Sequence, residues 1–243
     1  GLEGAGRMAE PENLIEFLED FFPAETDLKS RTVLVTAGPT FEPIDPVRYI
    51  GNRSTGKMGI AIAMQCARRG AKVHLVLGPT SIPVHHGSIS VHRVQTEEEM
   101  LQECVNLFPT IDLTFMAAAI ADYAPVAYSG EKIKKSAGEL HMGLKKTPDV
   151  LKELAAMKRQ DQLLVGFALE TNNAQENALR KLKEKNADLI VLNSLADEGA
   201  GFGFDTNKVT IFAKDGSVWD YTLKSKQQVA GDIVDKAIKQ MYG

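Results

Sequence analysis

Residues 51–57 read GNRSTGK, two glycines and a lysine in the G-x-x-x-x-G-K spacing that elsewhere cradles nucleotide phosphates. A working phosphate loop places Ser or Thr next, to ligate magnesium, and springs directly from a strand. Here Met58 takes that place, and Pro43 and Pro46 break the upstream stretch FEPIDPVRYI, so the P-loop reading fails. What remains is a loop of roughly 15 residues, long for a compact domain. It carries Arg48, Asn52, Arg53, Ser54, Thr55 and Lys57. Ser54 or Thr55 can cap the helix that follows, leaving backbone N–H groups near Gly56 and Gly59 to face a phosphate or carboxylate. Spacing alone equally allows an ordinary capped helix with a solvated lysine.

The other chemically able side chains are sparse. Cys66 and Cys104 both fall in helical patterns without metal spacing and read as buried thiols in a reducing compartment. His85, His86, His92 and His141 show no ligand spacing and read as surface. The 243 residues carry 44% hydrophobic and 25% charged side chains, enough for one sizeable α/β core. A net charge of −4 argues against a general nucleic-acid surface, while a local basic cluster can still hold a small anion. No apolar run approaches the ~20 residues of a membrane span, and no signal-peptide pattern opens the chain, so the expected location is cytoplasmic.

The residues that do chemistry need elements to hold them, and the pattern supplies strand and helix in alternation. Strands are expected over 32–38, 72–78, 89–95, 112–119, 162–168 and 187–193. Helices are expected over 58–70, from a Thr96/Glu99 capping box, from a Thr147 cap ahead of Pro148 at N1 through Met157, and between the last two strands. Alternation of this kind means an α/β, Rossmann-like, doubly wound and mainly parallel sheet flanked by helices. Two strands around Lys214-Asp215-Gly216 add a β-hairpin extension, and a closing helix begins near Ser225. Residues 1–30, Gly-rich with a short helix candidate at 12–22, read as a linker or tail of a preceding domain, and 31–243 as the domain itself. A doubly wound sheet binds ligands outside the carboxyl ends of its strands. The loop there after the first strand, Gly38-Pro39-Thr40, lacks the G-x-G-x-x-G fingerprint, and the second strand ends in Gly78-Pro79-Thr80 with no acidic residue for a ribose; both disfavour a nicotinamide enzyme.

TAGPTFEPIDPVRYIGNRSTGKMG, then AAAIADY, EKIKK, TPDVL and GFALETNN in that order, resembles phosphopantothenoylcysteine synthetase, the second half of the bacterial bifunctional coenzyme A biosynthesis protein. The likeness runs from about residue 31 to the end, and GRMAEP in the head resembles the tail of the flavin-dependent decarboxylase half. The rest of that half is absent from this sequence, so neither flavin binding nor decarboxylation is expected. The resemblance implies a ligase: 4′-phosphopantothenate attacks the α-phosphate of CTP, magnesium accompanying the nucleotide, and the amine of L-cysteine displaces CMP from the acyl-cytidylate. It also implies a homodimer supported by the hairpin. Retention of Lys134 and Lys135 after Lys132 resembles the CTP-using bacterial type, as against the ATP-using eukaryotic one.

By the same resemblance the nucleotide site falls on Gly38, Met116, Ala117, Ala118, Asp122, Lys132, Pro148, Asp149, Val150, Leu151, Phe167, Lys181 and Lys185. Lys132 opens a K-x-K-K motif at the root of a flap whose tip is SAGEL. The acid side maps to Arg48 and Asn52 with Ser54, Thr55, Gly56 and Lys57, and Asn52 and Lys132 are the expected catalytic pair. Read without the resemblance, Ala117 equally suits a core, Asp122 a turn, and the lysines a solvated face. Lys181 and Lys185, four apart, are expected to reach a polyphosphate from one helical face.

Overall fold

The computed structural model describes residues 26–135, 139–170, 172–194 and 204–242. The helix expected at 12–22, most of the proposed tail and three residues of the flap tip lie outside that set. Among the described residues, an eight-stranded sheet runs in the order β13-β12-β10-β9-β6-β1-β4-β5. Its strands are β1 (Thr32–Ala37), β4 (Lys72–Leu77), β5 (Ile89–Arg93), β6 (Leu113–Met116), β9 (Leu163–Glu170), β10 (Leu189–Ser194), β12 (Val209–Ala213) and β13 (Val218–Asp220). The first six pair in parallel, and the β12–β13 hairpin joins antiparallel at the β10 edge. From β1 the chain steps outward through β4 to β5, then crosses back to β6 on the other side of β1. The strand order therefore reverses between β1 and β6, which is where a doubly wound sheet opens a crevice.

Both faces of the sheet are covered, which is why its strands read as continuous apolar runs. Along β1, Val33 and Val35 face one way and Leu34 the other, and all three are buried. On the Val33 face pack α1 (Lys57–Arg68) and α5 (Lys226–Tyr242) through Ile62, Cys66, Val229 and Ile233. On the Leu34 face pack α2 (Glu97–Leu107) and α3 (Val150–Met157) through Met100, Cys104 and Leu154, and α4 (Ala174–Glu184) adds Ala178 and Leu182 beside Ile190. Leu28 is fully buried in the first of these layers. Both cysteines are buried thiols whose pKa burial pushes up.

Several expectations are corrected by the coordinates. The long loop after β1 contains a two-stranded ribbon, β2 (Phe41–Pro43) with β3 (Tyr49–Gly51), in which Phe41 stacks on Tyr49 at 3.8 Å. Neither Ser54 nor Thr55 caps α1; the N-cap is Gly56 in the left-handed region, φ 82°, with no side-chain cap bond. The α3 cap is Asp149, which accepts from the Lys152 N–H, while Thr147 donates its hydroxyl to the Ala121 carbonyl. The fourth expected strand ends at Met116 instead of Ala119, because the chain there leaves β6 and aligns with residues after β1. Two further ribbons, β7 (Tyr123–Pro125) with β8 (Leu144–Lys146) and β11 (Thr206–Asn207) with β14 (Lys224–Ser225), were too short to leave a pattern. His92 is not a free surface ring: its Nδ1 lies 2.7 Å from Glu103 and its Nε2 3.0 Å from His74.

The Thr96/Glu99 capping box forms as expected, and α2 is seated by a second device. Glu42 of β2 is buried and accepts the Glu97 N–H at 2.9 Å. Glu97 itself is buried, and its Oε1 has no hydrogen-bond partner among the described residues. Burial, then the neighbouring Glu42 and Glu98 charges, push the Glu97 carboxyl up to about 7, Lys145 opposing. A carboxyl raised above its unfolded value stabilises the fold most below pH ~4.5 and loses that contribution as pH rises through about 7. Glu97→Gln should therefore melt higher than the parent at pH 8, by on the order of 1 kcal/mol, and converge with it near pH 5. Thermal melts at the two pH values check this, and a pH-independent difference contradicts it.

Candidate active site

A cavity of about 390 Å³ opens at the carboxyl ends of β1, β6 and β9. Its first wall is the stretch from Asn52 to Lys57 with the start of α1. Gly59 fixes how close that helix comes, since a Cβ there would lie 2.5 Å from the Ala37 Cβ and 2.9 Å from the Thr36 carbonyl oxygen. Gly56 is similarly constrained: it has positive φ and lies against the backbone of Gly38. Two glycines thus bring the positive end of α1, uncapped by any side chain, to the switch point. That resolves the G-x-x-x-x-G-K spacing: Gly56 lets the start of α1 rest on Gly38, while Gly51 ends the β2–β3 ribbon, where a Cβ would lie 2.8 Å from the Thr40 carbonyl oxygen, a geometry unrelated to a P-loop.

The opposite wall is the segment after β6. Thr36 Oγ1 accepts the Ala118 N–H at 3.2 Å, the Gly38 carbonyl accepts Ala119 N–H at 2.9 Å, and Thr40 Oγ1 accepts Ala121 N–H at 3.0 Å. Met116, Ala117 and Ala118 line the cavity in consequence, with small side chains where a ligand meets backbone. Asn52 closes the corner by donating both amide hydrogens, to the Ala119 and Ile120 carbonyls at 3.0 Å each. Both amide hydrogens are thereby engaged by backbone, and Oδ1 is left as the acceptor of this side chain at the cavity.

Thr147, Pro148, Asp149, Val150 and Leu151 form a third wall at the α3 N-terminus, and Phe167 with Lys181 a fourth. Lys181 Nζ donates to the Phe167 carbonyl at 2.6 Å, and burial, with the Lys185 charge adding, lowers its pKa against the pull of Asp149. Lys185 does not line the cavity; it pairs with Asp149 at 2.6 Å. The two lysines therefore separate, one to a carbonyl at the cavity and one to the helix cap. Burial pushes the Asp149 carboxyl up, but the bonds from Lys185 and the Lys152 N–H outweigh it, and its pKa falls below the usual value. Asp122, at the rim, has no ion pair among the described residues.

Fifteen of the expected residues thus meet at one cavity, and four do not. Gly38 lies just beneath it, supplying the backbone against which Gly56 and Ala119 rest. Arg48 is outside, with its guanidinium held by Asp45. Lys132 is exposed and does not line this cavity, and Lys185 is engaged as above. The sequence reading missed Asn193, Asn207 and Lys226 at the far end. Asn193, at the carboxyl end of parallel β10, was findable by the strand-end rule. Asn207, bonded to it at 3.0 Å, and Lys226, bonded to the Phe204 carbonyl at 2.6 Å, come from or follow two-residue strands with no signature.

A sequence profile described as "DNA/pantothenate metabolism flavoprotein C-terminal domain" matches residues 28–241. The chain belongs to this family. Within the flavoprotein C-terminal domain family, it is 42% identical to the Coenzyme A biosynthesis bifunctional protein CoaBC of Bacillus subtilis (strain 168), over 97% of this chain and 58% of that protein. It is 48% identical to a Cysteine/Cysteine sulfinic acid decarboxylase from an unknown prokaryotic organism, over 100% of this chain and 68% of the relative. The chain thus spans well under two thirds of the bifunctional relative's length. Among solved structures it is similar to the C-terminal domain of CoaBC, with a TM-score of 0.76 and 37% identity, over 89% of this chain and 98% of that one. The family and the Rossmann-like fold implied by the sequence motifs are both borne out.

In the flavoprotein C-terminal domain, the close approach at Gly59 makes a test of sign. Helix propensity alone favours Ala over Gly by up to ~1 kcal/mol. Because a methyl here meets Ala37 and Thr36, Gly59→Ala should instead destabilise by ~1–3 kcal/mol. Urea unfolding midpoints decide it, and a midpoint equal to or above the parent's contradicts the packing.

Proposed function

We propose that this cavity joins 4′-phosphopantothenate to L-cysteine, with CTP as the activating nucleotide, and that the product is 4′-phosphopantothenoyl-L-cysteine. The observation that carries the reading is the cavity itself, an uncapped α1 N-terminus facing the Ala117-Ala118 backbone at the switch point, in a chain similar over almost all of the solved CoaBC C-terminal domain.

A carboxylate is a poor acyl donor until one oxygen joins a better leaving group. A carboxylate oxygen attacks the α-phosphorus and pyrophosphate leaves; the cysteine nitrogen then attacks the acyl carbon, CMP departs with that oxygen, and the nitrogen releases a proton. Such chemistry asks for positioning and charge neutralisation in place of a protein nucleophile. The α1 terminus at Gly56–Gly59 and Lys57 suit an anionic group of the acid, and the Met116–Ala118 backbone, Pro148–Leu151, Phe167 and Lys181 suit the nucleotide. Asn52 Oδ1 is disposed to accept from the attacking amine while its amide hydrogens keep the Ala119-Ile120 turn in place. Lys132, exposed in the K-x-K-K segment, is proposed to meet the charge that grows on the leaving pyrophosphate.

Magnesium is proposed to ride on the triphosphate, whose oxygens and waters suit it better than a protein cage. Among the described residues, Asp122 fits that role by offering one rim carboxylate for a metal-bound water. When bound, the ion supplies charge neutralisation on the phosphates. We further propose a cytoplasmic homodimer, a decarboxylase domain preceding about residue 30 in any longer polypeptide, and no nucleic-acid or membrane partner. Among the described residues, no helix is long and apolar enough to cross a membrane. For the dimer, β13 supplies a sheet edge with Val218 exposed, but more large apolar side chains, including Val47, Tyr49, Tyr123 and Val126, are exposed around β3 and β7.

Pyrophosphate release in the presence of 4′-phosphopantothenate and subsaturating nucleotide tests the reading. CTP should exceed ATP by at least ~10-fold, which corresponds to about 1.4 kcal/mol of discrimination. Comparable rates with both nucleotides contradict the CTP assignment. No release with either, or carbon dioxide from cysteine without any nucleotide, contradicts the ligation.

A further inference from the structure

Asp45 occupies the turn between β2 and β3, and its side chain is completely buried although the turn itself is at the surface. Five donors converge on its two oxygens. Oδ1 accepts the N–H groups of Val47 and Arg48 at 2.9 Å each, and Oδ2 accepts Arg48 Nε at 2.9 Å, Arg48 Nη2, and the Ile133 N–H at 3.1 Å. Arg48 Nη2 also donates to the Ile133 carbonyl at 2.8 Å. One ion pair thus holds both backbone polar groups of a residue far along the chain. Nearby, the Ser129 N–H donates to the Ile44 carbonyl at 3.0 Å, adding a second tie between the same two segments.

Ile133 lies between Lys132 and Lys134, whose side chains are exposed. A buried carboxylate paired with a partly exposed guanidinium is a costly way to stabilise a turn, because desolvation of the carboxylate offsets much of the Coulomb attraction. Its distinctive property is geometric: a carboxylate and a planar guanidinium together fix direction as well as distance. The geometry points to Asp45 as a positioning residue, the anchor that fixes the Lys132–Lys135 segment against the β2–β3 turn and so sets where its lysines are delivered. This rests on the ligation proposed above. Arg48, which the sequence suggested as a substrate contact, is on this reading the arm by which Asp45 reaches the Ile133 carbonyl. Asn at position 45 keeps the volume but has one acceptor oxygen, and its NH₂ group opposes either the Val47 and Arg48 N–H groups or the Ile133 N–H together with the guanidinium.

The test uses the full chain and Asp45→Asn, with two readouts. The first is the kcat and the CTP KM of pyrophosphate release; the second is hydrogen exchange of the peptide containing Ile133. The anchor predicts that kcat falls ~10–100-fold with KM within threefold, since a misplaced lysine loses its part in the step while the cavity walls are untouched. It also predicts exchange at Ile133 at least ~10-fold faster, as expected when a buried bond opens locally. Arg48→Lys keeps a cation beside Asp45 but loses the planar fork that engages the carboxylate through Nε and Nη2 together, and should show both changes in milder form. If Asp45→Asn does not fold, Arg48→Lys decides with the same readouts. A folded variant with parental kcat, or with slowed turnover and unchanged exchange at Ile133, overturns the proposal. Should the parent release no pyrophosphate, the ligation reading fails instead, and exchange still judges the anchor: equal rates in parent and variant overturn it, and faster exchange in the variant supports it.

Discussion

The seam between β1 and β6 sets everything downstream of it. The parallel ladder ends at Thr36 and Met116, yet the two chains stay side by side through Thr36, Gly38 and Thr40, which hold Ala118, Ala119 and Ala121 in turn. A ladder continued by side-chain hydroxyls and one carbonyl, where regular strand geometry has stopped, lets the backbone after Met116 turn toward the cavity without leaving buried N–H groups unpaired. Asn52 then bonds the far end of the same segment, so the loop before α1 and the turn after β6 share one frame. Removing any one of these bonds would leave a donor or acceptor orphaned and the two walls free to drift apart.

The remaining walls are hung on that seam by polar contacts of the same kind. Thr147 binds the Ala121 carbonyl and brings in the α3 terminus; Asp149 caps that terminus and recruits Lys185. Lys181 reaches across to β9 at Phe167. On the outer side, Lys57 pairs with Asp205, linking the glycine loop to the segment that carries Asn207. Apolar packing builds the three layers, but the position of each wall around the cavity is fixed by directional bonds to backbone, and this is why small residues and amides dominate its lining.

The alternation of strands and helices, the mainly parallel sheet and the hairpin were legible because continuous apolar strands, a capping box and Gly-terminated helices each carry a local signature. The glycines of the loop and of the start of α1 were legible only as a question. That Gly56 and Gly59 serve packing against Gly38 and Ala37 depends on residues distant in sequence, and Ser54 or Thr55 looked an equally good cap. Thr147 lost the cap of α3 to Asp149 for a similar reason: its hydroxyl had a better partner, Ala121, on another element. Lys181 and Lys185 share a helical face, as their spacing requires, yet a carbonyl and a carboxylate on different elements divide them. Asp45 gave no signal, since a turn aspartate beside an arginine is ordinary until the chain returns at Ile133. Residues supplied by short ribbons, Asn207 and Lys226 among them, stayed hidden because two-residue strands have no periodicity.

The central claim is that the switch-point cavity activates a carboxylate by placing nucleotide phosphorus on its oxygen. It is tested most directly by following that oxygen. With the carboxylate of 4′-phosphopantothenate labelled with ¹⁸O, and CTP and cysteine supplied to the full chain, the account predicts one labelled oxygen in the phosphate of each CMP formed and none in pyrophosphate. CMP that emerges unlabelled while amide accumulates would contradict it.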